Sequence, residues 1–358
     1  MTIAFGLGVL LAMAAPVAMA MAADTPQPAR QDGVLVVNNF KFQSGEVLPE
    51  LRLGYTTLGT AKRDATGAIT NAVLLLHGTT GTGANWLAPS FADALFRAGQ
   101  PLDANNYYLI LADSIGLGRS SKPSDGLKAN FPTYGYLDMV DAQYRLVTEG
   151  LNVKHLRLLL GTSMGGMQAW LWAERYPDMM DGVVALTSQP AEVTGRNLLW
   201  RRIIIEAIRN DPDWNQGNYT TPPTRFAFVV PLFNLLIDSA PHLQQIAPTR
   251  EKTIAYYDQL VANAKKLDAN DFLYRWEASR DYKPEGDLDK IRTRVLAINF
   301  ADDLLNPPEL KVMERAMAQV KNGRSVLLPA DEQSLGHQNQ SRASVWGPYV
   351  AELLKQLP

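Results

Sequence analysis

The 358-residue sequence has no cysteine, only four histidines, and almost no charge imbalance, with 34 lysines and arginines against 36 aspartates and glutamates. Without a thiol there is no thiolate nucleophile, no disulfide, no thiolate metal site and no redox switch. A covalent nucleophile must therefore be oxygen or nitrogen. Four histidines leave few candidates for a general base, the role that imidazole fills most often. A net charge of −2 supplies no basic field to hold a nucleic acid, so a small-molecule substrate is expected. Neither a metal nor a cofactor is expected.

Charge is also missing from the first 23 residues, where Asp24 is the first charged side chain. This stretch is rich in Ala and Gly and ends in small residues of A-x-A character, which reads as an export signal (residues 1–23) cleaved near Ala22 or Ala23. A periplasmic or secreted mature chain of residues 24–358, with no stable membrane association, follows from it. A retained membrane anchor is the competing reading, since the apolar run is nearly long enough to span a bilayer, but the small-residue end favours cleavage. No Lys or Arg precedes the apolar core, which suits neither reading.

What the sequence does contain is a series of short apolar runs bounded by turn residues: AVLLLHG (72–78), YYLILAD (107–113), LRLLLGTS (156–163), GVVALTS (182–188) and VLAINFA (295–301). Continuous runs of this kind, alternating with amphipathic stretches, read as strands of a mostly parallel sheet buried on both faces by helices. Helices are expected over 138–151, 164–176 and 345–357. Two earlier β-type runs, 34–37 and 51–57, suit an antiparallel pair. Between about 190 and 290 no strand run appears and apolar residues recur at helical spacing, as in NLLWRRIIIEAIR (197–209). That segment is expected to be a helical lid inserted between two strands, over the C-terminal edge of the sheet.

The strand LRLLL leads directly into Gly161-Thr162-Ser163-Met164-Gly165 and then a helix. A G-x-S-x-G turn between strand and helix holds a serine hydroxyl clear of the sheet edge, because the glycines permit a strained turn and close packing. Ser163 is therefore the candidate nucleophile. A serine attacks only once a base takes its proton. Of the four histidines, His77 and His155 precede Ser163 and His242 falls in the insertion. His337 follows the last apolar run, where the order Ser, acid, His places the base. The acid belongs at the end of the strand before it, at Asp302 or Asp303; the distance from Asp303 to Pro307-Pro308 favours Asp303. The acid orients His337 and stabilises its cation. An oxyanion hole needs two backbone N–H groups, one from the residue after the nucleophile and one from an earlier loop. Met164 and Thr79 are the candidates, and His77 beside Thr79 is expected to be structural.

These motifs are those of the α/β-hydrolase fold. The sequence also resembles the homoserine O-acetyltransferase family of that superfamily over nearly all of the mature chain. The resemblance lies in FPTYGYLDMVDAQYRLV (131–147), GTSMGGMQAW (161–170), EAIRNDPDWNQGNY (206–219), KLDANDFLY (266–274) and DLLNPPE (303–309). It implies a helical lid that often forms a homodimer contact, acyl transfer through Ser163, and Asp303 and His337 as its partners. Three departures stand out. The family has Gly-His-Asp where this chain has Gly336-His337-Gln338, Arg-Asp where it has Leu137-Asp138, and a threonine-containing glycine loop in place of DSIGLGRSSKP (113–123). Losing an acid and an arginine removes groups suited to a zwitterionic amino-acid acceptor.

Two activities follow from an acyl-Ser163: hydrolysis of a small acyl ester, or transfer to a hydroxyl from a thioester such as acetyl-CoA. Preferring a millimolar acceptor over water at about 55 M takes roughly 6–7 kcal/mol of transition-state discrimination. Hydrolysis needs none, and export separates the chain from cytosolic acetyl-CoA, so ester hydrolysis is the expectation from sequence.

Overall fold

A computed structural model describes residues 29–358; the expected signal, residues 1–23, lies outside the described residues. Eight strands form one sheet: β1 (Arg30–Lys41), β2 (Val47–Leu58), β3 (Ala72–Leu76), β4 (Tyr108–Ala112), β5 (Leu158–Thr162), β6 (Gly182–Leu186), β7 (Arg294–Phe300) and β8 (Gly323–Leu328). Their order across the sheet is β1-β2-β4-β3-β5-β6-β7-β8. Only β1 with β2 and β2 with β4 run antiparallel; from β4 to β8 every neighbour is parallel.

The central strands are apolar throughout because both faces are covered. In β3, Ala72, Leu74 and Leu76 enter one core while Val73 and Leu75 enter the other, the period-2 alternation of a strand expressed on two buried sides. Helices α1 (Pro89–Leu95) and, at the other end of the chain, Ala343–Gln356 cover the second face. Helices α2 (Tyr136–Arg145) and α3 (Met164–Arg175) cover the first. The helix expected over 138–151 begins earlier and changes character: α2 ends at Arg145 and a wider π turn, Leu146–Gly150, completes it.

Among the described residues no strand lies between β6 and β7. That segment holds α4 (Gly195–Arg209), α5 (Pro231–Ile237), α6 (Ala240–Ile246), α7 (Arg250–Ala264) and α8 (Ala269–Glu277). The segment has its own apolar core, in which Trp200, Ile204, Ile208, Phe226, Phe272 and Trp276 are buried together. Two further helices, α9 (Val312–Met317) and α10 (Ala343–Gln356), follow β7. One expectation is corrected here. VLAINFA is not the last strand, because β8 intervenes between it and His337. At the sheet edge every residue of β8 except Leu328 is at least partly exposed, so β8 lacks the continuous apolar run that marks the inner strands.

Candidate active site

Ser163 sits between the end of β5 and the start of α3 with φ 54° and ψ −115°, a strained conformation for a residue with a side chain. The surrounding glycines explain how the turn is held. A Cβ at Gly161 would run into the Gly165 carbonyl, and one at Gly165 into the Leu76 carbonyl of β3. The Ser163 N–H donates to Leu186 O of β6 at 2.9 Å, so two neighbouring strands fix the turn. Its side chain points to His337, whose Nε2 lies 2.8 Å from Ser163 Oγ.

On its other side, His337 Nδ1 lies 2.8 Å from Asp303 Oδ2. Both side chains are buried. Burial alone would raise the Asp303 pKa. The His337 charge, its hydrogen bond, and those from Asn306 and the Leu305 N–H outweigh it and hold the carboxyl below its usual range. Asn306 Nδ2 donates to Asp303 Oδ2 at 2.8 Å and to Thr187 O at 3.0 Å, tying the acid to the end of β6. Sequence reasoning passed over Asn306; its position three residues after the acid, in the LLNPP loop, was the available signal.

Asp302 does not face His337 Nδ1. It accepts the Gly336 N–H at 2.8 Å and Asn339 Nδ2 at 2.9 Å, which shapes the loop that carries the histidine. Of the two adjacent acids, Asp303 is the one in line with His337 and Ser163.

Met164 follows the nucleophile directly in the chain, and Thr79 follows Gly78, whose backbone lies near it. A Cβ placed on Gly78 would lie 3.5 Å from Ser163 Cβ and 4.0 Å from its Oγ, so the Gly78-Thr79 backbone lies against the serine. Met164 opens α3, where the first N–H groups of a helix have no intrahelical acceptor. Among the described residues neither N–H is taken by another group. Free backbone donors near a nucleophilic oxygen are the groups that stabilise negative charge developing there.

The other three histidines stand elsewhere. His77 is buried, its Nδ1 bonded to Gly78 O at 2.8 Å and its Nε2 accepting the Ser114 N–H at 3.1 Å. Burial lowers its pKa, so it is a neutral strut between the Thr79 loop and the glycine turn after β4. His155 bonds Asp181, and His242 bonds Asp238 at 2.7 Å within the helical segment between β6 and β7. Two buried polar groups were not singled out by sequence: the Tyr136 hydroxyl, which has no hydrogen-bond partner among the described residues, and the guanidinium of Arg201 on α4.

The alpha/beta hydrolase fold family matches residues 71–329. A probable acyltransferase of Methanothermobacter thermautotrophicus is 30% identical over 281 residues, covering 78% of this chain and 85% of that one. A homoserine O-acetyltransferase of Solidesulfovibrio magneticus is 31% identical, covering 82% and 83%. Among solved structures, a homoserine O-acetyltransferase from Bacillus anthracis superposes with a TM-score of 0.78 at 21% identity, covering 92% of this chain and 98% of that one. An acetylester hydrolase from Corynebacterium glutamicum superposes at 0.76 with 21% identity, covering 91% and 95%.

Proposed function

The chain belongs to the alpha/beta hydrolase fold family and is related to its homoserine O-acetyltransferases, and from that premise we propose that it transfers an acyl group through Ser163 to a hydroxyl acceptor. That it is an enzyme of the acyltransferase and esterase kind follows from the family and its relatives. The observation that carries acyl transfer is the line of hydrogen bonds from Asp303 through His337 to Ser163, both at 2.8 Å. The hydroxyl acceptor is supported by sequence relatives named as acyltransferases; they favour this reading over the hydrolysis expected from the sequence alone.

In the reaction proposed, His337 Nε2 takes the Ser163 proton as Oγ attacks the carbonyl of an ester or thioester. The Thr79 and Met164 N–H groups hold the oxyanion; in serine enzymes one such donor is worth about 2.7–4 kcal/mol. His337 returns the proton to the leaving group, and the acyl group stays on Ser163. His337 then deprotonates the acceptor hydroxyl, which attacks the acyl-enzyme through a second oxyanion; its collapse breaks the acyl–Oγ bond, releases the new ester, and returns the proton from His337 Nε2 to Ser163 Oγ. Asp303 stabilises each imidazolium without taking its proton.

Hydrolysis is the second reading, and one observation favours it. Leu137 and Gln338 stand where the family has an arginine and an acid, so the acceptor side lacks the charges that would select an amino acid over water. Product partitioning separates the two. Wild-type enzyme is given acetyl-CoA with homoserine and, separately, p-nitrophenyl acetate with and without millimolar glycerol or homoserine. Acetylated acceptor exceeding free acetate supports transfer. Free acetate alone, at a rate no acceptor changes, overturns it in favour of hydrolysis.

We also propose export to the periplasm or the medium, supported by the uncharged, small-residue leader of residues 1–23.

A further inference from the structure

Thr187, the residue directly after β6, is buried and has φ +48°, a left-handed conformation that is strained for a β-branched side chain. Its N–H still donates to Ile298 O of β7 at 2.8 Å. A residue continuing the strand would offer its carbonyl to β7 as well. The left-handed turn withdraws that carbonyl from the ladder, and it accepts Asn306 Nδ2 at 3.0 Å instead. The next carbonyl, that of Ser188, is held by Asn299 Nδ2 at 3.2 Å. Strain of this kind persists only where the surrounding structure over-determines it.

The end of β6 touches every segment that carries a member of the triad. Leu186 O accepts the Ser163 N–H at 2.9 Å. A Cβ on Gly166, in the first turn of α3, would lie 2.5 Å from Ser188 Oγ, so the helix behind the nucleophile is seated against the same strand end. Thr187 Oγ1 donates to Leu186 O at 2.8 Å and approaches Gln340 Oε1, in the loop of His337, at 3.3 Å. The Thr187 carbonyl takes the third segment, through Asn306.

Only this last contact reaches the acid itself. Asp303 Oδ2 receives two donors, His337 Nδ1 and Asn306 Nδ2, each at 2.8 Å. Its Oδ1 receives the backbone N–H groups of Leu305 at 2.8 Å and Asn306 at 3.3 Å, which residues of any type would supply. A carboxylate turns easily about its terminal torsion, and a buried acceptor left without a donor is costly. The Asn306 side chain meets both problems at the oxygen that faces the imidazole.

We propose that Thr187 and Asn306 are positioning residues of the triad: the turned-out Thr187 carbonyl fixes the Asn306 amide, and the amide fixes the plane of the Asp303 carboxylate with Oδ2 toward His337. They act through Asp303 and not on the reacting atoms. The inference rests on the reading that His337 takes the proton of Ser163.

The test combines kcat and KM for p-nitrophenyl acetate with the downfield proton NMR signal of the hydrogen between His337 Nδ1 and Asp303, which reports the geometry without turnover. Asn306→Leu keeps the approximate shape of asparagine and removes the donor. It is expected to lower kcat about tenfold to a hundredfold, with KM within about twofold, and to shift or broaden the signal. Thr187→Val puts a methyl group against the Leu186 carbonyl and is expected to lower kcat in the same way. Thr187→Gly, which adopts a positive φ freely, is expected to recover most of that loss. Wild-type kcat with an unmoved signal in Asn306→Leu overturns the proposal, and Asn306→Ala decides in the same terms if the leucine variant does not fold. A fall in Thr187→Gly as deep as in Thr187→Val overturns the role of the turned carbonyl. A signal that moves in the Asn306 variants, in a protein that Ser163→Ala leaves active, would uphold the positioning and remove the reading of Ser163 instead.

Discussion

Asp302 and Asp303 hold consecutive residues of one loop: Asp302 accepts the Gly336 N–H at 2.8 Å, and Asp303 meets His337 Nδ1 at 2.8 Å. Two adjacent carboxylates thus divide the work, one shaping the backbone and the other orienting the ring. Asp303→Asn is expected to lower kcat by about 10⁴, because an amide favours the wrong histidine tautomer. Asp302→Asn keeps an oxygen for the Gly336 N–H and is expected to cost far less. Steady-state kinetics with p-nitrophenyl acetate rank the two; the reverse order would transfer the orienting role to Asp302.

Removing the nucleophile gives the largest effect. Ser163→Ala is expected to lower kcat by about 10⁶ while leaving the fold in place, since the turn is held by Gly161, Gly165 and the Ser163 backbone. Mass spectrometry after treatment with a fluorophosphonate is expected to show one adduct on wild type, at Ser163, and none at that residue's position in the variant. Retained activity in Ser163→Ala would end the assignment.

Stability has its own titrating group. Glu174, on α3, has a buried oxygen without a hydrogen-bond partner. Burial, then the charges of Asp287 and Glu285, push its carboxyl up to about 8 against the pull of Lys290. An unfolded chain ionises this group near 4.3. Between the two values the folded state holds a proton that the unfolded state has lost, so this group's contribution to stability falls as pH rises from about 4.3 to about 8. Glu174→Gln removes that dependence. Its Tm relative to wild type is expected to be higher at pH 8.5 than at pH 5 by about 2 °C or more. A shift of equal size at both pH values would show that Glu174 does not titrate in this window.

Export is tested on the full-length gene product in a Gram-negative host. Intact mass of the soluble periplasmic protein is expected to place its N-terminus near Asp24. Protein kept in the membrane fraction with residues 1–23 attached would replace export of a free enzyme with anchoring.

The inner strands and Ser163 were legible because their signals are local. A strand buried on both faces must be apolar along its length, and the nucleophile turn must carry Gly161 and Gly165 within two residues of Ser163. His337 followed from the scarcity of histidine and from its place in chain order. β8 was not legible, since its half-exposed edge position erases the apolar run. Asp302 and Asp303 differ only in the direction each side chain takes after β7, which spacing suggests but three-dimensional packing decides. Arg201 was hidden more completely. Within NLLWRRIIIEAIR it reads as a solvated helical cation, and only the fold buries it, against the Trp276 ring from a helix further along the inserted segment.

Ser239 Oγ, at the start of α6, donates to Ser334 O at 2.6 Å, and Gly336, with φ +64°, packs against the Asp238 backbone. The join between α5 and α6 is therefore fastened to the very loop that carries His337. The same loop is held from its other side by Asp302, through the Gly336 N–H and Asn339. The base is thus suspended between the inserted helices and the end of β7, while β5, β6 and α3 hold the serine, so a substitution that loosens either suspension would move the proton acceptor off the nucleophile without touching either residue.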